Sequence, residues 1–363
     1  MSLALYAGLM SGTSLDGVDA VLVDLGGARP VCRAHAFEPF DAELRAELLA
    51  LNARGADELE RAAACGNRLA RRYAAAIEAL LARAAVPRRE VRAIGCHGQT
   101  VRHRPEAGYT LQIGNAALLA ELSGITVVAD FRSRDVAAGG QGAPLAPAFH
   151  AVMFGGAEHR VVLNLGGMAN LTWLPAGGEV LGFDTGPGNC LMDLWAQIHL
   201  QQPLDREGAW AARGEVSADL LEALLAEPYF AQSPPKSTGR DLFNEDWLRR
   251  RLPGGIEAQA VQATLLELTA RTVERAIREH CRGARRLIAC GGGVRNARLM
   301  ARLRALLAPL PVETSEPHGL DPAWVEAAAF AWLARETLEG RSGNLPTVTG
   351  ARGPRILGAI YRA

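Results

Sequence analysis

Three glycine-rich stretches of the sequence carry the backbone and hydroxyl groups that phosphate binding needs. They are GLMSGTSLDGVD at residues 8–19, NLGGMANLT at residues 164–172 and CGGGVRN at residues 290–296. Successive backbone N–H groups in such turns form a concave surface that favours phosphate oxygens, and bare glycine backbone lets a ribose or base approach closely. None of the stretches has the spacing GxxxxGKS/T or GxGxxG. The sequence therefore predicts a nucleotide site that is neither a P-loop nor a Rossmann site.

The elements that must hold these turns follow one order twice. Short apolar runs between turn residues predict strands, and apolar residues at helical spacing predict helices. Strands are expected at residues 3–10, 17–25, 31–37, 91–98, 109–114, 125–131, 160–167, 168–175, 179–186, 285–293 and 310–315. Helices are expected at residues 41–53, 58–84, 116–122, 188–200, 256–282, 296–308 and 321–340. Asn115 and Asp321 are the expected N-caps of the third and last helices.

Each half of the chain opens with three strands and continues in α/β alternation, which predicts a duplicated α/β fold of two domains with a cleft between them. Ligands commonly bind in such clefts. We assign residues 1–128 to domain I, to which residues 345–363 return, and residues 129–344 to domain II. Any one glycine turn alone could be a hairpin in which glycine only supplies a positive φ. Their related places in the two halves favour phosphate binding.

Charge and composition narrow the classes of partner. The 39 basic and 39 acidic residues balance, so there is no electrostatic case for nucleic acid or an anionic membrane as a partner. No segment has the roughly 18 uninterrupted apolar residues of a membrane span, and the first ten residues lack the basic region of a signal peptide. The six cysteines form no CxxC pair and are expected to be reduced. We predict a cytoplasmic protein with a small-molecule substrate.

Eight motifs together resemble the anhydro-N-acetylmuramic acid kinase family, within the sugar kinase, heat-shock protein 70 and actin superfamily. They are GLMSGTSLDGVD, CHGQTVRH, ADFRSRDVAAGGQGAPL, NLGGMANLT, GFDTGPGN, KSTGRDLF, CGGGVRN and NLPTVTGA, in this order along nearly the whole chain. The resemblance implies an actin-like ATPase fold with two ribonuclease H-like domains. It also implies a homodimer.

The reaction implied by this resemblance is an ATP-dependent phosphorylation of O6 of 1,6-anhydro-N-acetylmuramic acid, while water opens the anhydro ring at C1. The products are N-acetylmuramic acid 6-phosphate and ADP, and the step belongs to the recycling of peptidoglycan. Asp184, in GFDTGPGN, matches the family's general base, since a carboxylate can hold a water and accept its proton as the C1–O6 bond breaks. Glu326 matches a family position close to the sugar. The alternatives are a helix N-cap for Asp184 and a solvated helix face for Glu326.

The resemblance further implies two sets of binding residues. ATP would be bound by Ser11, Gly12, Thr13, Ser14, Leu15, Asp16, Gly17, Val18, Asp19, Gly166, Gly167, Asn170, Gly291, Gly292 and Gly293. The sugar would be bound by His97, Gln99, Thr100, Asn115 and Arg132. An arginine can bind the lactyl carboxylate through two parallel hydrogen bonds, and the sequence leaves open whether Arg132 or Arg134 does so. His97 could equally be a buried, hydrogen-bonded histidine. Lys236 and Arg240 would serve phosphate or dimer contacts.

Phosphoryl transfer also implies Mg²⁺, because charge on the β- and γ-phosphates must be neutralised. Asp16, Asp19 and Asp184 are candidates near the metal, and none is assigned as a direct ligand. Three alternative functions remain open: an ordinary hexose kinase of the same fold, an actin-like or chaperone-like ATPase, and a sugar-sensing relative without catalysis. Only the family resemblance separates the hexose kinase from the reaction given above.

Overall fold

The chain divides into two units in the computed structural model, which describes residues 3–12 and 15–363. Unit 1 comprises Met1–Met153 and Trp324–Ala363, and unit 2 comprises Phe154–Ala323. Both boundaries differ from the expected ones at 128/129 and 344/345. Residues after 128 stay in unit 1 because the buried Asp135 carboxylate accepts hydrogen bonds from Asn344 and Thr349 of the same unit. The helix at Val325–Leu338 belongs to unit 1 because it packs on the sheet of that unit.

The strands and helices have the following bounds. The strands are β1 (Leu5–Met10), β2 (Gly17–Asp24), β3 (Val31–Pro39), β4 (Val91–Cys96), β5 (Gln99–Arg104), β6 (Tyr109–Ile113), β7 (Val127–Ala129), β8 (Arg160–Leu165), β9 (Met168–Leu174), β10 (Leu181–Pro187), β11 (Arg286–Cys290), β12 (Val312–Thr314) and β13 (Ala359–Tyr361). The helices are α1 (Ala42–Ala50), α2 (Glu58–Ala84), α3 (Ala116–Ser123), α4 (Ser133–Ala137), α5 (Ala146–Phe154), α6 (Cys190–Leu200), α7 (Ala218–Leu225), α8 (Glu245–Arg249), α9 (Ala258–His280), α10 (Ala297–Leu307), α11 (Val325–Leu338) and α12 (Pro346–Thr349).

Unit 1 is built on a sheet of order β13-β7-β4-β1-β2-β3. Strands β1, β2 and β3 form an antiparallel meander, and β4 and β7 add parallel to it. Helix α11 packs so closely on β1 and β4 that a Cβ atom at Gly8 or Gly95 would lie within 2 Å of a carbonyl oxygen of the helix. A hydrophobic core between the sheet and α1, α2 and α3 completes the unit.

Unit 2 repeats this plan with the sheet order β10-β9-β8-β11-β12. Strands β8, β9 and β10 form the antiparallel meander, and β11 lies parallel to both β8 and β12. Leu163, Leu171 and Phe183 point from the sheet into the core. When only the strands of each sheet are numbered, unit 2 has the order 3-2-1-4-5, and unit 1 has the same order with β13 added as a sixth strand at the edge. The predicted duplicated, ribonuclease H-like α/β fold of the actin-like ATPases is therefore confirmed.

Several local features differ from the sequence-based expectations. Strand β5 was not expected, and it pairs with β6 in a separate two-stranded sheet. Asp321 accepts a hydrogen bond from the backbone N–H of Ala323, within a short 3₁₀ turn that precedes α11, so it is not the N-cap of that helix. Asn115 is the N-cap of α3, as predicted. Within the described ranges, every helix is too short or too polar to span a bilayer.

Candidate active site

Two segments of unit 2 lie against the turn between β8 and β9. The carbonyl oxygens of Gly166 and Gly167 accept hydrogen bonds from the backbone of residues 188–190. The strand-to-helix turn after β11 also lies close, as a Cβ atom at Gly291 would be 2.4 Å from the Asn164 side-chain oxygen. A Cβ atom at Gly293 would lie 2.7 Å from that of Leu165. The structure thus brings two of the predicted nucleotide-binding turns together.

Asp184 lies on β10 next to these turns. It pairs with Asn170 on β9, which in turn pairs with Asn164 on β8, so the three side chains share one face of the sheet. Asp184 is 8% exposed, and its Oδ2 accepts a hydrogen bond of 2.9 Å from the backbone N–H of Thr238. The N-cap of α6 is Asn189 and not Asp184. The structure therefore excludes the helix-capping alternative and leaves a buried, oriented carboxylate.

The segment from Tyr229 to Thr238 surrounds Asp184. The Tyr229 hydroxyl donates to the Asp184 carbonyl oxygen at 2.8 Å, and the Asp184 N–H donates to the Lys236 carbonyl at 3.2 Å. Burial, together with the negative charge of Asp184, raises the pKa of Tyr229, so the phenol stays a hydrogen-bond donor at physiological pH. Lys236 is buried and donates to main-chain carbonyls, which differs from the expected role in phosphate or dimer contacts.

The glycine turn of unit 1 begins with a serine whose hydroxyl is used internally. The Ser11 Oγ donates to the Gly98 carbonyl at 3.2 Å and lies 2.9 Å from the Tyr73 hydroxyl. Gln99 Nε2 donates to the carbonyl of Gly12 at 3.3 Å. These bonds hold the turn against the segment that follows β4. Thr13 and Ser14, two of the predicted ATP-binding residues, lie outside the described residues.

The rest of the first predicted phosphate stretch runs into β2. The side chains of Leu15 and Val18 are buried in the core, so only their backbone is placed to contact a ligand. Gly17 packs against β3, where a Cβ atom would lie 2.4 Å from the Phe37 ring. Asp16 is exposed, whereas Asp19 Oδ1 lies 2.8 Å from the His35 Nε2. Asp16 and Asp19 thus have different surroundings.

His97 and Arg132, two of the predicted sugar-binding residues, contact each other in unit 1. The Arg132 Nε and Nη2 both lie within hydrogen-bond distance of His97 Nε2, at 3.2 and 2.9 Å. Burial, together with the positive charge of Arg132, lowers the pKa of His97 to about 3. His97 is therefore neutral at physiological pH, and its Nε2 is an acceptor for the guanidinium.

The loop after α4 holds Arg132 from a second direction. Arg132 Nη1 donates to the Gly142 carbonyl at 2.7 Å, and the Gly142 N–H donates to the buried carboxylate of Asp135 at 2.8 Å. Arg134 is exposed. Of the two arginines that the sequence left open, Arg132 is the one whose orientation is fixed by the fold.

The other predicted sugar-site residues lie elsewhere in unit 1. Thr100 Oγ1 accepts a hydrogen bond from Gln112, and Asn115 uses its side chain to cap α3 and to contact Asn67. Glu326 lies in the first turn of α11 and is half-buried. The structure thus joins His97 to Arg132 and Gln99 to Gly12, while Thr100 and Asn115 make separate contacts.

The described residues fit a nucleotide better than a metal cluster. Asn170 has a buried side-chain oxygen without a hydrogen-bond partner in the described part of the chain, and such an atom indicates a partner supplied by ligand or water. Gly292 is exposed, and a Cβ atom there would meet nothing within 4 Å. No group of three His, Cys, Asp or Glu side chains that could hold a metal ion occurs in residues 3–12 and 15–363.

The Tyr229–Thr238 segment was not predicted to lie beside Asp184. Its residues are 45 or more positions away from Asp184 along the chain, and a contact at such separation leaves no periodic pattern. The motif KSTGRDLF was the only available signal, and it indicated phosphate or dimer contacts. The role of residues 188 and 189 in holding the Gly166–Gly167 turn was likewise not foreseen.

Comparisons with known proteins show the family of the chain. The model of the family described as anhydro-N-acetylmuramic acid kinase matches residues 4–363. A protein of that name from Variovorax paradoxus is 58% identical over 371 residues, covering 99% of each chain. Another from Thiobacillus denitrificans is 56% identical over 363 residues, covering 99% of this chain and 97% of the relative. A solved ROK family glucokinase from Streptomyces griseus has a TM-score of 0.42 and 13% identity, over 92% of this chain and 100% of that one. The chain belongs to the anhydro-N-acetylmuramic acid kinase family.

Proposed function

We propose that this protein uses ATP to phosphorylate O6 of 1,6-anhydro-N-acetylmuramic acid while water opens the anhydro ring. The products are N-acetylmuramic acid 6-phosphate and ADP, in the recycling of peptidoglycan. Membership of the family supports the substrate class. The observation that carries the proposal is the buried Asp184 carboxylate, held by the Thr238 N–H beside the glycine turns of unit 2.

Asp184 is the general base of the proposed mechanism. Its Oδ2 is fixed by the N–H of Thr238, and its main chain is fixed by Tyr229 and Lys236. A carboxylate with a fixed orientation can hold a water toward C1 and accept its proton as the C1–O6 bond breaks. The sugar O6 released by ring opening is then the oxygen that receives the phosphoryl group. Glu326 orients the sugar or the water.

The binding residues have complementary tasks. We infer that the backbone of the glycine turns at residues 11–19, 166–170 and 291–293 binds ATP, and that Mg²⁺ supplies charge neutralisation on the phosphates when it is bound. The guanidinium of Arg132, oriented by His97 and Gly142, binds the lactyl carboxylate. Gln99 has a buried side-chain oxygen without a partner in the described residues, on the same segment as His97, and this oxygen accepts from a sugar hydroxyl. Thr100 and Asn115 also bind the sugar.

We also infer a homodimer in the cytoplasm. The family resemblance supports the dimer, and the need for ATP supports the compartment, since ATP is abundant there. Light scattering of the purified chain tests the dimer, and a monomer across the micromolar range would contradict it.

The test of the reaction uses ATP, Mg²⁺ and 1,6-anhydro-N-acetylmuramic acid in ¹⁸O-labelled water, with the products read by mass spectrometry. We expect a 6-phosphate that carries ¹⁸O at C1 and no unphosphorylated hydrolysis product. Asp184→Asn is expected to lower the rate by about 10²- to 10⁴-fold, the range of general-base catalysis. Phosphorylation of an ordinary hexose, without turnover of the anhydro sugar, would contradict the proposed substrate and favour the hexose kinase alternative.

A further inference from the structure

Lys236 is a buried cation in unit 2 that no step of the proposed reaction uses. Lys236 is only 9% exposed. The ammonium donates to the carbonyl oxygens of Tyr229 at 3.2 Å and Phe230 at 3.4 Å. It also lies 4.8 Å from the centre of the Tyr229 ring. Burying a charge is unfavourable unless it is compensated, so these contacts need an explanation.

The contacts of Lys236 connect the two ends of a loop that holds Asp184. At one end, the Tyr229 hydroxyl donates to the Asp184 carbonyl. At the other end, the Lys236 carbonyl accepts from the Asp184 N–H, and the Thr238 N–H donates to the Asp184 carboxylate. Because the Lys236 ammonium binds the carbonyl of Tyr229, both ends are fixed relative to each other. The loop of residues 229–238 therefore forms one support for Asp184.

The charge of Lys236 acts on the same carboxylate. Burial lowers the pKa of Lys236; the negative charges of Glu279 and Asp184 oppose this shift, and the positive charge of Arg275 adds to it. Attraction between two opposite charges favours the ionised form of both partners. The charged or titratable side chains that face Lys236 are Asp184, Tyr229, Arg275, Glu279 and His280, the last three from α9.

We propose that Lys236 is a positioning residue for the general base: it fixes the loop of residues 229–238 on Asp184, and its positive charge favours the ionised form of the carboxylate. This inference rests on the proposed function, because it takes Asp184 as the base of that reaction. It assigns to Lys236 a role inside unit 2 and no contact with substrate or phosphate.

The test compares Lys236→Gln, which keeps N–H donors and loses the charge, with Lys236→Arg, which keeps the charge. Both are made in the full chain, and kcat and KM are measured across pH with the anhydro sugar. In the Gln variant we expect kcat to fall about tenfold or more, with little change in the KM for ATP. The acid limb of the kcat/KM profile, where the base becomes protonated, is expected to move upward by about half a pH unit or more. The Arg variant is expected to restore the limb.

Tyr229→Phe is the matched control. It removes the hydrogen bond to the Asp184 carbonyl without a change of formal charge, so we expect a lower kcat with the acid limb unmoved. If Lys236→Gln does not fold, as judged by circular dichroism, Lys236→Met replaces it because the side chain has similar length. An acid limb that is identical in the neutral variant and the wild type would overturn the proposal, as would an equal shift in the Arg variant.

A second measurement does not depend on turnover. The carboxyl ¹³C signal of Asp184, assigned with Asp184→Asn, is titrated by NMR in the wild type and in Lys236→Gln. We expect the midpoint of the titration to lie at higher pH in the Gln variant, and equal midpoints contradict the inference. If the wild type does not turn over the anhydro sugar while the midpoints still differ, the proposed function fails and the electrostatic link between Lys236 and Asp184 stands.

Discussion

Arg132 directs two of its nitrogens at one acceptor atom, the Nε2 of His97, and this pairing defines the protonation of the histidine. The two distances are 3.2 and 2.9 Å, and the ring of His97 also packs on Phe330 with 4.8 Å between centroids. An imidazole that accepts at Nε2 cannot donate a proton from that atom. His97 therefore orients the arginine and is not an acid catalyst through Nε2.

Substitutions of Arg132 and Arg134 test which arginine binds the lactyl carboxylate of the sugar. We expect Arg132→Gln to raise the KM for the anhydro sugar by about 10- to 100-fold, because a charged hydrogen-bonding pair contributes roughly 1.5–3 kcal/mol. Arg134→Gln, at an exposed position two residues further along the chain, is the matched control and is expected to retain the wild-type KM. Steady-state kinetics with the sugar varied at saturating ATP measure both. Equal effects of the two substitutions would count against the assignment to Arg132.

Two buried histidines predict acid sensitivity of the fold. Burial, assisted at His97 by the charge of Arg132, lowers the pKa values of His97 and His150 to about 3. In the unfolded chain, both histidines bind a proton near the ordinary histidine pKa of about 6.5. The stability from the two neutral rings is therefore complete above about pH 6.5 and declines toward pH 3, by about 1.4 kcal/mol per pH unit for each ring.

Urea unfolding at about pH 7 and pH 5 measures this decline. We expect a lower free energy of unfolding at the acid pH, and a smaller difference between the two pH values in His150→Asn than in the wild type. His150 is suited to this comparison because it lies on α5 and belongs to no proposed binding set. An unchanged pH dependence in the variant would show that His150 does not titrate on unfolding.

The cysteines predict a simple pattern of chemical modification. Cys32 is half-buried and the other five are buried. Burial raises the pKa values of Cys96, Cys190 and Cys281 to about 12, and the thiolate is the form that reacts. We expect iodoacetamide to label Cys32 in the folded protein and all six cysteines after denaturation, as counted by mass spectrometry. Rapid labelling of Cys96 or Cys190 in the folded state would contradict their burial.

Neighbouring glycines in the turn after β11 separate a structural role from a binding role. Gly291 has φ +83°, and a Cβ atom there would lie 2.4 Å from the Asn164 side-chain oxygen. Gly291→Ala is expected to destabilise the fold by about 1–3 kcal/mol, seen as a lower melting temperature. At Gly292 a Cβ atom meets nothing within 4 Å, so Gly292→Ala is expected to keep the melting temperature. Because ATP is proposed to contact the backbone at Gly292, Gly292→Ala is also expected to raise the KM for ATP.

The sequence predicted best those features that depend on local chemistry. The bounds of α2 agree with the helical pattern and with the turn before Pro87, and Asn115 caps α3 as its position before the apolar run indicated. The meander at the start of each unit was also readable, since glycine turns separate its short strands. Asp321 was misjudged because the proline after it starts a 3₁₀ turn, and α11 begins only at Val325.

Features that depend on distant contacts could not be read. Nothing in KSTGRDLF indicates that Lys236 is buried against Tyr229, because burial is decided by which segments pack together. Asp135 lies in a short helix with no periodic signal, yet its carboxylate joins Gly142 to Asn344 and Thr349. Such contacts link residues that are far apart in the chain, so they also move the boundary of unit 1 beyond the expected one.

The continuity of unit 2 has a consequence for how the protein is made. Unit 2 is a single uninterrupted stretch, whereas the sheet of unit 1 needs β13 and its packing needs α11, both of which follow unit 2 in the chain. A ribosome adds residues from the N-terminus onward. Unit 2 can therefore reach its native state during translation, while unit 1 must wait, with its sheet edge at β7 unpaired, until the last segment leaves the exit tunnel.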